Sequence, residues 1–142
     1  MTSEEFKVLH DNLEEHINEI KTTLKIKDLL DKPEQTKKFE RMRYLYYSTV
    51  KALVDLGHSI IFENDLRDPV NRADIFISLA EKDIMMSSVV PGLKRATLTL
   101  PQINTMKSAQ AFELIAETID DIYKCLDSFV VYFGLQGEGT GK

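Results

Sequence analysis

Apolar residues recur along this chain at spacings of three and four. Phe6, Leu9, Leu13, Ile17, Ile20 and Leu24 form one such stripe, which predicts an amphipathic helix from about Thr2 to Leu30. Thr2 or Ser3 is placed to cap it, with acidic residues in the first turn. The pattern breaks at "DKPE", residues 31 to 34. Pro33 suits the first turn of a new helix, and Asp31 and Glu34 have capping-box spacing. A second helix then runs to about Asn64, with Phe39, Met42, Tyr46, Val50, Leu53, Gly57 and Ile60 on its inner face. A mid-helix glycine costs about 1 kcal/mol against alanine, so Gly57 predicts close approach of another helix. A short third helix is expected over roughly residues 71 to 82, facing Ile75, Phe76 and Leu79 inward. Another short helical piece follows, capped by Ser87 or Ser88, with Pro91 in its first turn. The cleanest stripe is the last. Phe112, Ile115, Ile119, Ile122, Leu126, Phe129 and Phe133 form a heptad-like seam between about Lys107 and Phe133. Gly134 reads as its C-terminal cap, and "QGEGTGK" as a flexible tail.

One stretch departs from this pattern. In "KRATLTLPQIN", residues 94 to 104, threonines alternate with leucines. Alternation predicts an extended segment, and Thr97 and Thr99 are β-branched. Leu98 and Leu100 are then expected to be buried. Four residues cannot make a sheet, so the fold class remains all-α. The expected architecture is an up-and-down helical bundle of three long helices and one or two short ones. It forms a single domain over residues 1 to 134, followed by a tail over 135 to 142.

Composition narrows the function. The net charge of −5 argues against coating nucleic acid by charge alone, while leaving room for a local basic groove. Apolar residues at 43% suffice for a core. Cys125 is the single cysteine, so neither an internal disulfide nor a cysteine-based zinc site can form. The N-terminal residues are acidic and periodic, unlike a signal peptide, and no uncharged run approaches the roughly 20 residues of a membrane span. A cytoplasmic protein without metal or cofactor is expected. The three long stripes carry more apolar surface than one thin bundle easily buries, which predicts a homodimer.

Residues 52 to 85, "ALVDLGHSIIFENDLRDPVNRADIFISLAEKDIM", resemble the HepT-like branch of the HEPN superfamily. Asp55, Gly57, Ile60 and Ile61 match one family phrase. Leu66, Arg67 and Pro69 match its turn. Asp74, Phe76, Leu79, Ala80, Glu81 and Ile84 match a third phrase. "AFELIAETIDDIYKCLDSF" is similar to the closing helix, and the likeness covers roughly residues 35 to 133. The resemblance implies an all-α homodimer packed through long helices. It also implies ribonuclease toxins paired with a nucleotidyltransferase antitoxin. Their cleavage site is an Arg-x(4–6)-His motif before the closing helix. Here Arg95 stands for the arginine, Leu100 falls within the span where the histidine belongs, and no histidine occurs after His58.

Moving a 2′-hydroxyl proton needs a group such as imidazole, and an arginine fork stabilises phosphate charge. With only the second present, the expected function is a non-catalytic interaction or regulatory module that has lost the ribonuclease histidine. The alternative is an active ribonuclease with an unconventional site near Arg95. Other residues carry their own expectations. His58 is read as a buried polar anchor, and His10 and His16 as surface histidines. Asp55, on a face taken as apolar, needs a partner, for which Arg95 is one candidate. Arg67 reads as a structural residue bonding Asp68, Asp74 or backbone carbonyls, with phosphate binding as its other role. "FERMRYLYYSTVK" interleaves Arg41, Arg43, Tyr44, Tyr46 and Tyr47. It suits RNA, by stacking and phosphate contact, or an interface with Tyr46 inward and Tyr44 and Tyr47 at its flank. The candidate RNA or nucleotide ligands are thus Arg95, Arg67, Arg43 and Tyr47.

Overall fold

The computed structural model describes residues 1–134, and the expected tail lies outside them. Five α-helices carry the described chain: α1 (Ser3–Leu24), α2 (Thr36–Glu63), α3 (Asp74–Glu81), α4 (Val90–Thr99) and α5 (Ser108–Tyr132). Short 3-10 turns lead into α2 (Pro33–Gln35) and α4 (Ser87–Val89), and another follows α4 (Leu100–Gln102). There is no strand among the described residues, and the protein is an all-α helical bundle. No helix is long and apolar enough to cross a membrane.

The long helices α1, α2 and α5 enclose one apolar core, and the short α3 and α4 close it between α2 and α5. Every expected inner position of α2 is buried, and the α5 seam is buried from Ile115 to Phe129, with Phe112 and Phe133 half-buried. A Cβ on Gly57 would lie 2.8 Å from Ile75 Cγ2 and 3.2 Å from Leu79 Cδ1. The helix that its absence admits is therefore α3.

Helix ends are set by local chemistry. Thr2 and Glu5 form a reciprocal capping box, with Glu5 N–H donating to Thr2 Oγ1 (3.1 Å) and Thr2 N–H to Glu5 Oε1 (3.0 Å). Helix α1 stops at Leu24, six residues before its expected end. Asp28 adopts a left-handed φ of 60°, and the turn it makes returns Leu29 to the core while leaving Leu30 exposed. Aspartates at φ 53° (Asp65) and 58° (Asp83) directly follow the C-caps Asn64 and Lys82 and end α2 and α3. Leu66 N–H then reaches back to the Ile61 carbonyl (3.0 Å), and Ile84 N–H to Leu79 (3.1 Å), in Schellman motifs. Gly134, at φ 73°, has the left-handed conformation of a C-terminal cap. Pro33 and Pro91 do open helical turns, but neither turn has a side-chain cap, so Asp31, Ser87 and Ser88 do not take that role.

The stretch expected to be extended is helical. Thr97 Oγ1 donates to the Leu93 carbonyl (2.8 Å) and Thr99 Oγ1 to that of Arg95 (2.7 Å), so both threonines satisfy their hydroxyls inside α4. Leu93, Ala96, Thr97 and Leu100 form its buried face, packed against α5 and α2. Leu98, expected inside, projects away at 56% exposure.

Candidate functional site

A groove runs along one flank of α2. Its upper part is a cavity of about 420 Å³ lined by Val54, Asp55, His58, Pro69, Asn71, Arg72 and Ile75. A smaller cavity of about 70 Å³ continues it past Val54 and Arg72 to Tyr47, Lys51, Thr97, Leu100 and Pro101. The groove therefore brings together Tyr47, Asp55, His58 and Leu100. It adds two cations that the sequence reading did not single out, Lys51 and Arg72. A larger cavity of about 700 Å³, between the end of α3 and the last turns of α5, contains none of the candidate residues.

The far wall of the groove is built by Arg67. Its guanidinium grips Asp74 through Nη1 (2.7 Å) and Nη2 (3.2 Å), and reaches Glu81 through Nε (2.9 Å). Asp74 also accepts from Val70 N–H (2.8 Å), and Ser78 Oγ donates to the Arg67 carbonyl (2.8 Å). This network clamps the turn between α2 and α3 and holds Pro69, Asn71 and Arg72 against α2. The Arg67 fork drives the Asp74 carboxyl below its usual range, so the pair stays ionised near neutrality. Arg67 is half exposed, yet its donors are committed to the fold rather than free for phosphate.

Inside the groove Asp55 sits between two cations, with Lys51 Nζ at 3.1 Å and Arg72 Nη2 at 3.7 Å. Asp55 lies on the exposed side of α2, not on its apolar face, and it does not pair with Arg95. His58, one turn further along, is exposed rather than buried. Gly57 faces α3, and the next residue, about 100° further round the helix, points outward. The groove carries one net positive charge from Lys51, Arg72 and Asp55, against the acidic balance of the whole chain.

Two arginines take other places. Arg43 is not available to a ligand, because its side chain is 6% exposed. Its Nη1 donates to the carbonyls of Ile103 (2.7 Å) and Met106 (2.9 Å), and Nη2 to Ser108 Oγ (3.2 Å). Its Nε lies 3.3 Å from Glu40 Oε2, without the alignment of a hydrogen bond. Arg43 thus bolts the α4–α5 connection to α2. Arg95 lies outside the groove walls, where Nη1 donates to Glu117 Oε1 on α5 (2.5 Å) and both side chains are about half exposed. Glu117 is a partner that the sequence reading missed. The signal available was the outward position shared by Glu113 and Glu117 on the α5 pattern. His10 and His16 lie on α1, partly exposed, and do not line the groove.

Comparison with models of known protein families gives no match, and no curated protein matches either. Among solved structures, the chain is similar to YutE from Bacillus subtilis, a cytosolic protein of unknown function. The TM-score is 0.66 at 13% identity, covering 89% of this chain and 91% of that chain. At that identity the likeness shows the shared fold of the two chains.

Proposed function

We propose that this protein is a non-catalytic, homodimeric interaction module of HepT-like HEPN type. The observation that carries the reading is the state of the motif locus. Arg95 is paired with Glu117, and the residues that follow it, Ala96 to Gln102, supply only aliphatic, threonine, proline and amide side chains on α4 and its 3-10 turn. Proton transfer at this arginine lacks an imidazole. The groove beside it, with Lys51, Arg72, His58 and Tyr47, offers mixed charge and one aromatic edge. Those features suit recognition of a partner, for which the resemblance suggests a nucleotidyltransferase antitoxin or RNA.

The second reading is an active ribonuclease. It is favoured by the Arg95–Glu117 pair, since a carboxylate can act as a base. Both side chains, however, stand on an open surface with nothing to exclude water or seat a ribose. Expression in a bacterial host, with total RNA followed over time, separates the two readings. Unchanged growth and intact RNA are expected for the wild type and for Arg95→Ala alike. RNA loss abolished by Arg95→Ala or Glu117→Gln would establish the nuclease instead.

A further inference from the structure

The outward face of α2 carries Tyr44, Ser48, Lys51, Asp55, His58 and Phe62, at alternating spacings of four and three. Tyr44 and Phe62 are 63% and 85% exposed, a large apolar area for two side chains on one helix. They are separated by about five helical turns, or about 27 Å, and so point in the same direction. The order of the stripe is also symmetric. Tyr44 and Phe62, Ser48 and His58, and Lys51 and Asp55 all share the same midpoint, Leu53. Reversing the helix end for end places an aromatic where an aromatic was, a polar side chain where a polar one was, and a cation where an anion was.

Such self-complementarity is what an isologous two-fold contact requires. We infer that two copies of this chain pair through α2, antiparallel, with the two-fold axis passing the outer side of Leu53. Tyr44 then packs on Phe62 of the partner subunit at both ends of the contact, and Ser48 faces the partner's His58. Lys51 meets the partner's Asp55 twice across the axis. The four-three spacing is that of a helix seam. Within one chain the Lys51–Asp55 bridge has its cation N-terminal to its anion, the weaker orientation on a helix. Asp55 keeps Arg72 at 3.7 Å when Lys51 turns to the partner. Because His58 and Asp55 line the groove, the partner's α2 forms one side of its mouth.

This inference rests on the homodimer reading and names its surface. Light scattering across the micromolar range tests it with Lys51→Glu and Asp55→Lys. Each substitution alone puts like charges across the axis and raises the dimer dissociation constant by about tenfold or more. Mixed in equal amounts, the two variants form a heterodimer with an affinity within about threefold of wild type, because both cross pairs are again opposite in sign. A wild-type monomer throughout would overturn the homodimer reading as well as this one. A dimer indifferent to Lys51→Glu would overturn only the surface. Should Asp55→Lys disturb the Arg72 turn, Phe62→Ser provides an independent loss of pairing. Register is read by oxidising the Tyr44→Cys/Phe62→Cys double variant. The fully buried Cys125 stays out of the reaction, and a covalent dimer linked from 44 to 62 is expected. A non-covalent dimer that fails to cross-link would rule out this register.

Discussion

The inner face of α2 and the outer face of α4 each carry an arginine whose sequence surroundings suggest nucleic acid, and the fold treats them in opposite ways. Arg43 is enclosed, with three donated hydrogen bonds that secure the start of α5. Arg95 lies on the surface and holds one carboxylate. The difference lies in register rather than in residue type. Arg43 falls between Phe39 and Tyr46 in the run Phe39, Arg43, Tyr46, Val50, Leu53, Gly57, which is the buried seam of the helix. Arg95 is adjacent to the buried Ala96 but points away from the face defined by Leu93, Ala96 and Leu100. An arginine inside an apolar seam is a structural cation that needs carbonyl partners. One beside the seam is a surface charge.

The largest effect should follow from breaking the inner arginine. Arg43→Ala leaves the Ile103 and Met106 carbonyls without their donor and opens a void under the α4–α5 connection. We expect a loss of about 3 kcal/mol in urea unfolding, with Arg43→Lys recovering only part because one ammonium cannot span both carbonyls and Ser108. A loss below about 1 kcal/mol would mean that the connection is held by something else.

Tyr46, the neighbouring inward residue, sharpens the contrast by pH. Its hydroxyl is buried against Thr118 Oγ1 (2.8 Å), and burial pushes its pKa from 10.0 up to about 12. The folded state therefore favours the neutral phenol. Its contribution is complete below pH 10, where both states are protonated. It is lost as pH rises through 10 toward 12, because only the unfolded phenol ionises in that window. The loss amounts to about 2–3 kcal/mol. Tyr46→Phe should cost about 1 kcal/mol at pH 7 and lack this alkaline step. Parallel stability curves for the two proteins between pH 9 and 12 would contradict the assignment.

Gly57→Ala tests the same face by volume. Helix propensity favours alanine by about 1 kcal/mol, but the new methyl meets the β-branched Ile75 at 2.8 Å, and a helical isoleucine has little rotamer freedom. Overpacking should win, giving a net loss of about 1–2 kcal/mol by thermal unfolding. Pairing the substitution with Ile75→Leu, which removes the clashing Cγ2, should recover part of it. A stabilised Gly57→Ala would show that α3 can shift outward freely.

These inner positions were legible because periodicity reports burial. The stripes of α1, α2 and α5 and the role of Gly57 follow from spacing alone. The ends were less legible. Asp65 and Asp83 take the left-handed position usually assigned to glycine or asparagine, and α1 closes on Lys25 with no glycine or proline to mark its end. The 94 to 104 stretch reads as extended because its two-residue alternation overlies a helical spacing at Leu93, Ala96, Thr97 and Leu100. Burial of that face outweighs threonine's reluctance in a helix, while the hydroxyls bond the carbonyls of the preceding turn. The groove was half legible. Tyr47, Asp55 and His58 were singled out, but Arg72 reaches them through a loop clamp. No local pattern encodes the distance between residues 55 and 72.

The smallest expected effect belongs to the outer arginine, and it carries the most functional weight. Arg95 and Glu117 are each about half exposed, where an ion pair is worth about 0.2–1 kcal/mol and salt screens it. Arg95→Ala should therefore shift the urea midpoint by no more than the equivalent of about 0.5 kcal/mol. Glu117→Ala should do the same, and the double variant should match either single one, since each removes the same pair. If the locus has lost its chemistry, the Arg95→Ala protein should also leave host growth and RNA as the wild type does. A structural role hidden in Arg95 would appear as a loss several times larger than that of Glu117→Ala. A catalytic role would appear as the reverse, with stability unchanged and RNA cleavage present only while the guanidinium remains.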